Sequence, residues 1–189
     1  PFDQPNVQGA KNMTDRVLEQ YQTTGKLPRS EAGGSLEKLL TEVEPSGYLA
    51  IMAYVRQTPE ADRALSALRR TAIKKHGIAT TVGYGPRFLH STGQLHKGGP
   101  GSGLFLQLTA EHPRDLVIPG APFTFGVLAD AQAVGDLRAL RASQRRAVRA
   151  GLGSNPEASI RKMAGEVGKG SIVWPQALPG WSNSLGREI

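Results

Sequence analysis

The chain has 189 residues, 39% of them apolar, and carries 23 lysines and arginines against 16 aspartates and glutamates, a net charge of +7. The absence of cysteine excludes disulfides, thiol catalysis and the thiolate ligands of most structural zinc sites, and it fits a reducing cytoplasm. No run approaches the roughly 18 apolar residues of a membrane span, so the composition predicts a soluble globular protein whose basic balance favours anionic partners. Nucleic acid is the weaker choice among these. The basic residues are dispersed, aromatics are only 6%, and no nucleic-acid motif is present.

Residues 6–25 predict a helix. Asn6 stands at the cap position, Val7, Ala10, Val17, Leu18 and Tyr21 fall near one face, and Gly25 follows as a stop. KLPRSEAGGS reads as a loop and SLEKLLTEVE as a short amphipathic helix ended by Pro45. GYLAIMAYV is a strand-length apolar run, as expected of a strand buried on both faces. TPEADRALSALRRTAIKKHG carries full helix punctuation: Thr58 at the cap, Pro59 and Glu60 in the first turn, Lys74 and Lys75 in the last, then Gly77. IATTVGYG predicts a second strand, FLHSTGQLH a short helix, KGGPGSG a loop and LFLQLTAE a third strand. FTFGVLADAQAVGDLRALRASQRRAVRAG reads as one long helix, with Phe125, Leu128, Ala131, Leu137 and Leu140 as its core positions. Beyond Gly153 the chain turns rich in Gly, Pro and Ser. The expected domain therefore covers 1–153, and 154–189 is an irregular tail or linker holding one helix in PEASIRKMAGEV.

Strands alternating with helices predict βαβ units and a parallel sheet covered by helices. Ligands of such sheets gather at the carboxyl ends of the strands, and the loop after TTVGYG is one such end.

Three stretches bear on chemistry. Lys11 lies in the second turn of the first helix, near unpaired N–H groups that suit a phosphate or a developing oxyanion; the plainer alternative is a solvated lysine. Residues 84–103, YGPRFLHSTGQLHKGGPGSG, gather Arg87, His90, His96 and Lys97. The two histidines do not have the (i, i+4) spacing of paired metal ligands, and the stretch holds no acidic residue, so no metal is expected. Acid–base work by one imidazole is the sharper reading, and a structural histidine in a glycine-rich turn is the plainer one. GGPGSG lacks the Gly-Lys-Ser/Thr ending of a phosphate loop. In SQRRAVRAG, Arg145 and Arg149 fall on one face of the expected helix, able to grip phosphate or simply solvated.

PFDQPNVQGAK resembles the Phe-Asp-Gln-Pro-x-Val-x-x-x-Lys signature of phosphoglucose isomerases, with Lys11 on the signature lysine. GYGPRFLHSTGQLHKGGPGSGLFLQLT and IPGAPFTFGVLADAQAVGDLRAL resemble the C-terminal part of bacterial transaldolase/phosphoglucose isomerase fusion proteins. The resemblance covers about residues 1–150 and places the lysine signature before the histidine loop, the reverse of single-function isomerases. It implies a sugar-isomerase domain, a Rossmann-like three-layer αβα sandwich around a mainly parallel sheet. The reaction it implies interconverts glucose 6-phosphate and fructose 6-phosphate by ring opening and proton transfer through an enediolate, with no cofactor. Lys11 and His96 are then the catalytic groups, His96 through the similarity of HKGGP to the family's His-x-x-Gly-Gly-x-Pro pattern, with His90 as the rival. Gln4, His90, Gln94 and Lys97 are the implied substrate-binding groups. The base glutamate and the phosphate-holding loop belong to an upstream isomerase or transaldolase domain in that family, so the chain is expected to be one half of a site with Pro1 at an artificial or processed edge. A homo-oligomer is a further expected partner, and a sugar-phosphate module without turnover is the alternative function.

Overall fold

The structure is a computed structural model that describes residues 5–28 and 34–169. Gln4 and the segment 170–189 lie outside the described residues.

Strand β1 (Tyr48–Tyr54) is apolar along its whole length, and that composition decides the architecture. A strand buried on both faces needs a neighbour at each edge and a helical layer above and below. It has all four. The sheet has four strands in the order β2-β1-β3-β4, all parallel, with β2 at Ala79–Tyr84, β3 at Gly103–Thr109 and β4 at Arg146–Gly151. Leu49, Ile51 and Ala53 point to one face and meet Leu104, Leu106 and Leu108 of β3. Helices α2 (Leu36–Thr41), α3 (Pro59–His76) and α6 (Pro156–Lys169) cover that side. Ala50, Met52 and Tyr54 point to the other face, toward Phe105 and the helix α5 (Phe125–Ala142). Helix α4 (Ser91–Gly98) and helix α1 (Pro5–Thr24) belong to this second side, α1 packing on α5. The α/β sandwich of three layers is as expected.

Local signals set the helix ends. The Thr58 hydroxyl accepts from the Ala61 N–H at 3.0 Å, and Gly77 closes α3 at a φ of 59°. The Thr124 hydroxyl accepts from the Val127 N–H at 3.2 Å and starts α5. Helix α1 crosses α5 closely at Gly135, where an added Cβ would lie 2.7 Å from the Thr14 backbone nitrogen. Only a glycine fits there.

Three expectations need correction. The stretch that reads as one long helix breaks after Ala142: Gln144 takes a φ of 57°, and Arg146–Gly151 then pairs with the open edge of β3 as strand β4. The edge of a parallel sheet offers a full ladder of backbone hydrogen bonds to these residues, and burial of Val148 adds to it. Arg145 and Arg149 therefore share no helix face. Phe125, expected in the core, is 55% exposed at the first turn of α5. Finally, the core does not end at Gly153. Ile160, Ala164 and Val167 recur at helical spacing on α6 and pack into the same cluster as Leu65 and Leu68 of α3. The packed unit thus continues to Lys169.

Candidate functional site

Two of the stretches that carry the resemblance, far apart in sequence, meet in the fold. Helix α1 packs against α4 and against the 3-10 turn Arg87–Leu89 that precedes it. At the contact the Asn6 N–H donates to Gln94 Oε1 at 3.1 Å across 88 positions of sequence. A Cβ added at Gly98 would lie 2.5 Å from Asn6 Nδ2 and would displace that side chain. Ala10, Leu89 and Ala139 form one buried cluster there. Lys11 and His90, each next in the chain to a member of that cluster, are both exposed. The His90 carbonyl accepts from the Gly93 N–H at 2.8 Å and starts α4, while its ring makes no capping bond.

His96 and Lys97 point the other way. Gly93, His96 and Lys97 form the inner face of α4 at i, i+3 and i+4. His96 is 3% exposed. Its ring lies 5.8 Å from Phe88, stacked, 5.0 Å from Phe105 and 6.5 Å from Tyr48. Burial lowers its pKa to about 4, helped by the neighbouring Lys97 charge, so the ring is neutral at pH 7. The Lys97 ammonium pairs with Asp136 Oδ1 at 2.5 Å, with both side chains fully buried, and donates to the Phe88 carbonyl at 3.3 Å. The Tyr54 hydroxyl donates to the other Asp136 oxygen at 3.3 Å. Burial raises the Asp136 pKa, and the Lys97 charge opposes that rise. Burial also holds the Tyr54 hydroxyl well above its ordinary value, with the Asp136 charge acting in the same sense.

The expected roles of His96 in acid–base chemistry and of Lys97 in substrate binding do not fit this placement. An imidazole boxed by aromatic rings and a lysine neutralised in the core present nothing to a ligand. His90, the rival, holds the open position, and Gln94 lies half-buried against the start of α1. Arg145 is engaged as well. Its guanidinium donates to the Lys97 carbonyl at 2.8 Å and the Gly99 carbonyl at 2.6 Å, neutralising the carbonyl end of α4.

A cleft of about 460 Å³ opens at the carboxyl ends of β1 and β3. This is the switch point of the sheet: one crossover leads from β1 through α3 to β2, the other from β3 through α5 to β4. Tyr54, Arg56, His112, Arg114, Leu116 and Phe125 line it. At its edge His112 Nε2 lies 3.2 Å from Asp130 Oδ1, each side chain about a third exposed, at 31% and 33%. No spacing marks these residues in the sequence. The reversal of strand order is the signal that would find them, and it requires β4, whose residues carry a helical pattern.

No group of three or more acidic or histidine side chains able to hold a metal occurs among the described residues. No helix among them is long and apolar enough to cross a membrane.

No family model and no curated protein matches the chain. Among solved structures it is similar to the hypothetical protein TT0462 from Thermus thermophilus, at 18% identity and a TM-score of 0.58, over 88% of this chain and 43% of that one. The likeness shows the fold, and this chain spans less than half the length of that protein.

Proposed function

We propose that this chain supplies part of the active site of a glucose-6-phosphate isomerase, with Lys11 and His90 as its proton-handling side chains. The observation that carries the reading is the meeting of the lysine signature and the histidine loop at the contact of α1 with α4, where Lys11 and His90 flank one buried cluster and face solvent.

Opening a hexose ring needs a proton delivered to the ring oxygen and one removed from the C1 hydroxyl. An ammonium on α1 and an imidazole at the cap of α4, the helix packed against it, suit that exchange. Moving the proton between C1 and C2 through the enediolate needs a carboxylate base, which we assign to an upstream isomerase domain or a second subunit. In this scheme Lys11 gives a proton to the ring oxygen and His90 takes one from the C1 hydroxyl.

The test is turnover of fructose 6-phosphate by this chain alone and together with an upstream isomerase domain. Only the combination is expected to be active. In it, Lys11→Ala and His90→Ala should each lower kcat by about a hundredfold or more, while His96→Leu should leave kcat within severalfold if the protein remains folded. Full activity in both Lys11→Ala and His90→Ala would end this reading.

A further inference from the structure

Three guanidiniums and three carboxylates line the switch-point cleft and its neighbour, and two of the carboxylates are already engaged. A second opening of about 460 Å³ adjoins it at the ends of β3 and β4, and the two share Ala110, Glu111 and His112. Arg56 and Arg114 are exposed on the first opening, and Arg149 lines the second. Against them stand Glu111, Asp115 and Asp130, of which two are engaged. Asp115 Oδ1 accepts from the N–H groups of Leu116 at 2.8 Å and Gly126 at 2.7 Å, and Oδ2 from the Thr124 hydroxyl at 2.5 Å, so its acceptor oxygens are taken up by the start of α5. Asp130 faces His112 at 3.2 Å. Among the described residues, three guanidiniums thus share the double cleft with one unengaged carboxylate, Glu111.

Arg149 has hydrogen-bonding capacity to spare. Its Nε donates to the Thr109 hydroxyl at 3.3 Å, while its Nη1 is buried without a hydrogen-bond partner. Part of the lining is apolar: Phe125 is 55% exposed and Leu116 is 68% exposed, both in the first opening. A large aromatic left open beside arginines, at the position where parallel sheets bind ligands, defines a ligand with two unlike ends.

We propose that this double cleft binds a small molecule carrying a phosphate and a flat apolar ring, of the nucleoside monophosphate class. The phosphate lies among Arg56, Arg114 and Arg149, and the ring lies on Phe125 and Leu116. The site is separate from Lys11 and His90, and it does not depend on the isomerase reading.

Adenosine 5′-monophosphate, inorganic phosphate and fructose 6-phosphate titrated into this chain, followed by backbone amide NMR, test it. The nucleotide should shift the amides of residues 54–56, 110–116 and 125–126. The double substitution Arg56→Gln with Arg114→Gln should weaken it by about tenfold or more, a loss of about 1.4 kcal/mol. Phe125→Ser should weaken the nucleotide and leave inorganic phosphate unchanged. All three positions are exposed, so the amide spectra of the variants should otherwise match that of the parent chain. No nucleotide shift at the cleft, or equal affinity in the double variant, overturns the site. Phosphate binding as tightly as the nucleotide overturns the ring shelf. Displacement of the nucleotide by fructose 6-phosphate overturns the separation from the isomerase site. Binding rather than turnover is read throughout, so failure here is distinct from failure of the isomerase assay.

Discussion

The layer of α4 and α5 and the switch-point cleft hold similar residue types under opposite conditions. Beneath α4, Lys97, Asp136 and His96 are sealed from water, and both charges of the Lys97–Asp136 pair are met within the core. In the cleft, Arg56 and Arg114 reach solvent, and of the carboxylates beside them Asp115 and Asp130 are already engaged. The difference teaches that lysines, histidines and arginines declare a role only once burial is known. A sealed pair restricts how the helices pack, and exposed guanidiniums are available to a ligand.

Breaking the sealed pair on one side should have the largest effect. Lys97→Met strands the Asp136 carboxylate in an apolar layer, and a loss of about 3–5 kcal/mol is expected in urea denaturation. The double substitution Lys97→Met with Asp136→Leu should recover most of that loss. Recovery of none would mean that the pair adds net stability beyond satisfying its own charges.

Crowding the helices behind the pair comes next. Gly135→Ala drives a methyl group against the Thr14 backbone and should destabilise by about 1–3 kcal/mol, read as a lower midpoint with an unchanged denaturant slope.

The aromatic box predicts a pH dependence of defined sign. The His96 pKa falls from 6.5 to about 4 on folding, so the unfolded chain binds more protons between those values. Stability from this residue is complete above about pH 6.5, declines as the pH falls toward 4, and levels off below that. Burial lowers the His76 pKa in the same sense, whereas the raised Asp136 pKa acts oppositely. The measurement is therefore the difference between the parent chain and His96→Leu, whose acid slope should be shallower. Parallel slopes would show that His96 is not sealed.

The smallest effect lies in the cleft. Arg56→Gln and Arg114→Gln should each change stability by less than about 0.5 kcal/mol, because exposed guanidiniums without ion pairs among the described residues contribute little to folding.

The sandwich is legible in the sequence because β1 and β3 are apolar throughout and α3 carries its own caps. Strand β4 is not. RRAVRAG alternates too weakly to compete with the helical pattern before it, and what makes it a strand is the edge of β3, a partner more than thirty positions away. The same holds for α6, whose three buried residues matter only once α3 lies beside them. Lys11 stands out because it lies in a specific motif, whereas the histidine motif favours His96 over His90. The inward turn of His96 and Lys97 does not stand out, since their partners Phe105 and Asp136 come from other elements.

The division of the two histidines is the central claim, and imidazole NMR of this chain joined to an upstream isomerase domain tests it directly. His96 should stay neutral until the pH nears 4 and should not respond to fructose 6-phosphate, whereas the His90 signals should move when the sugar phosphate is added. A His96 ring that titrates near 6.5 and follows the sugar phosphate, beside an indifferent His90, would contradict the account.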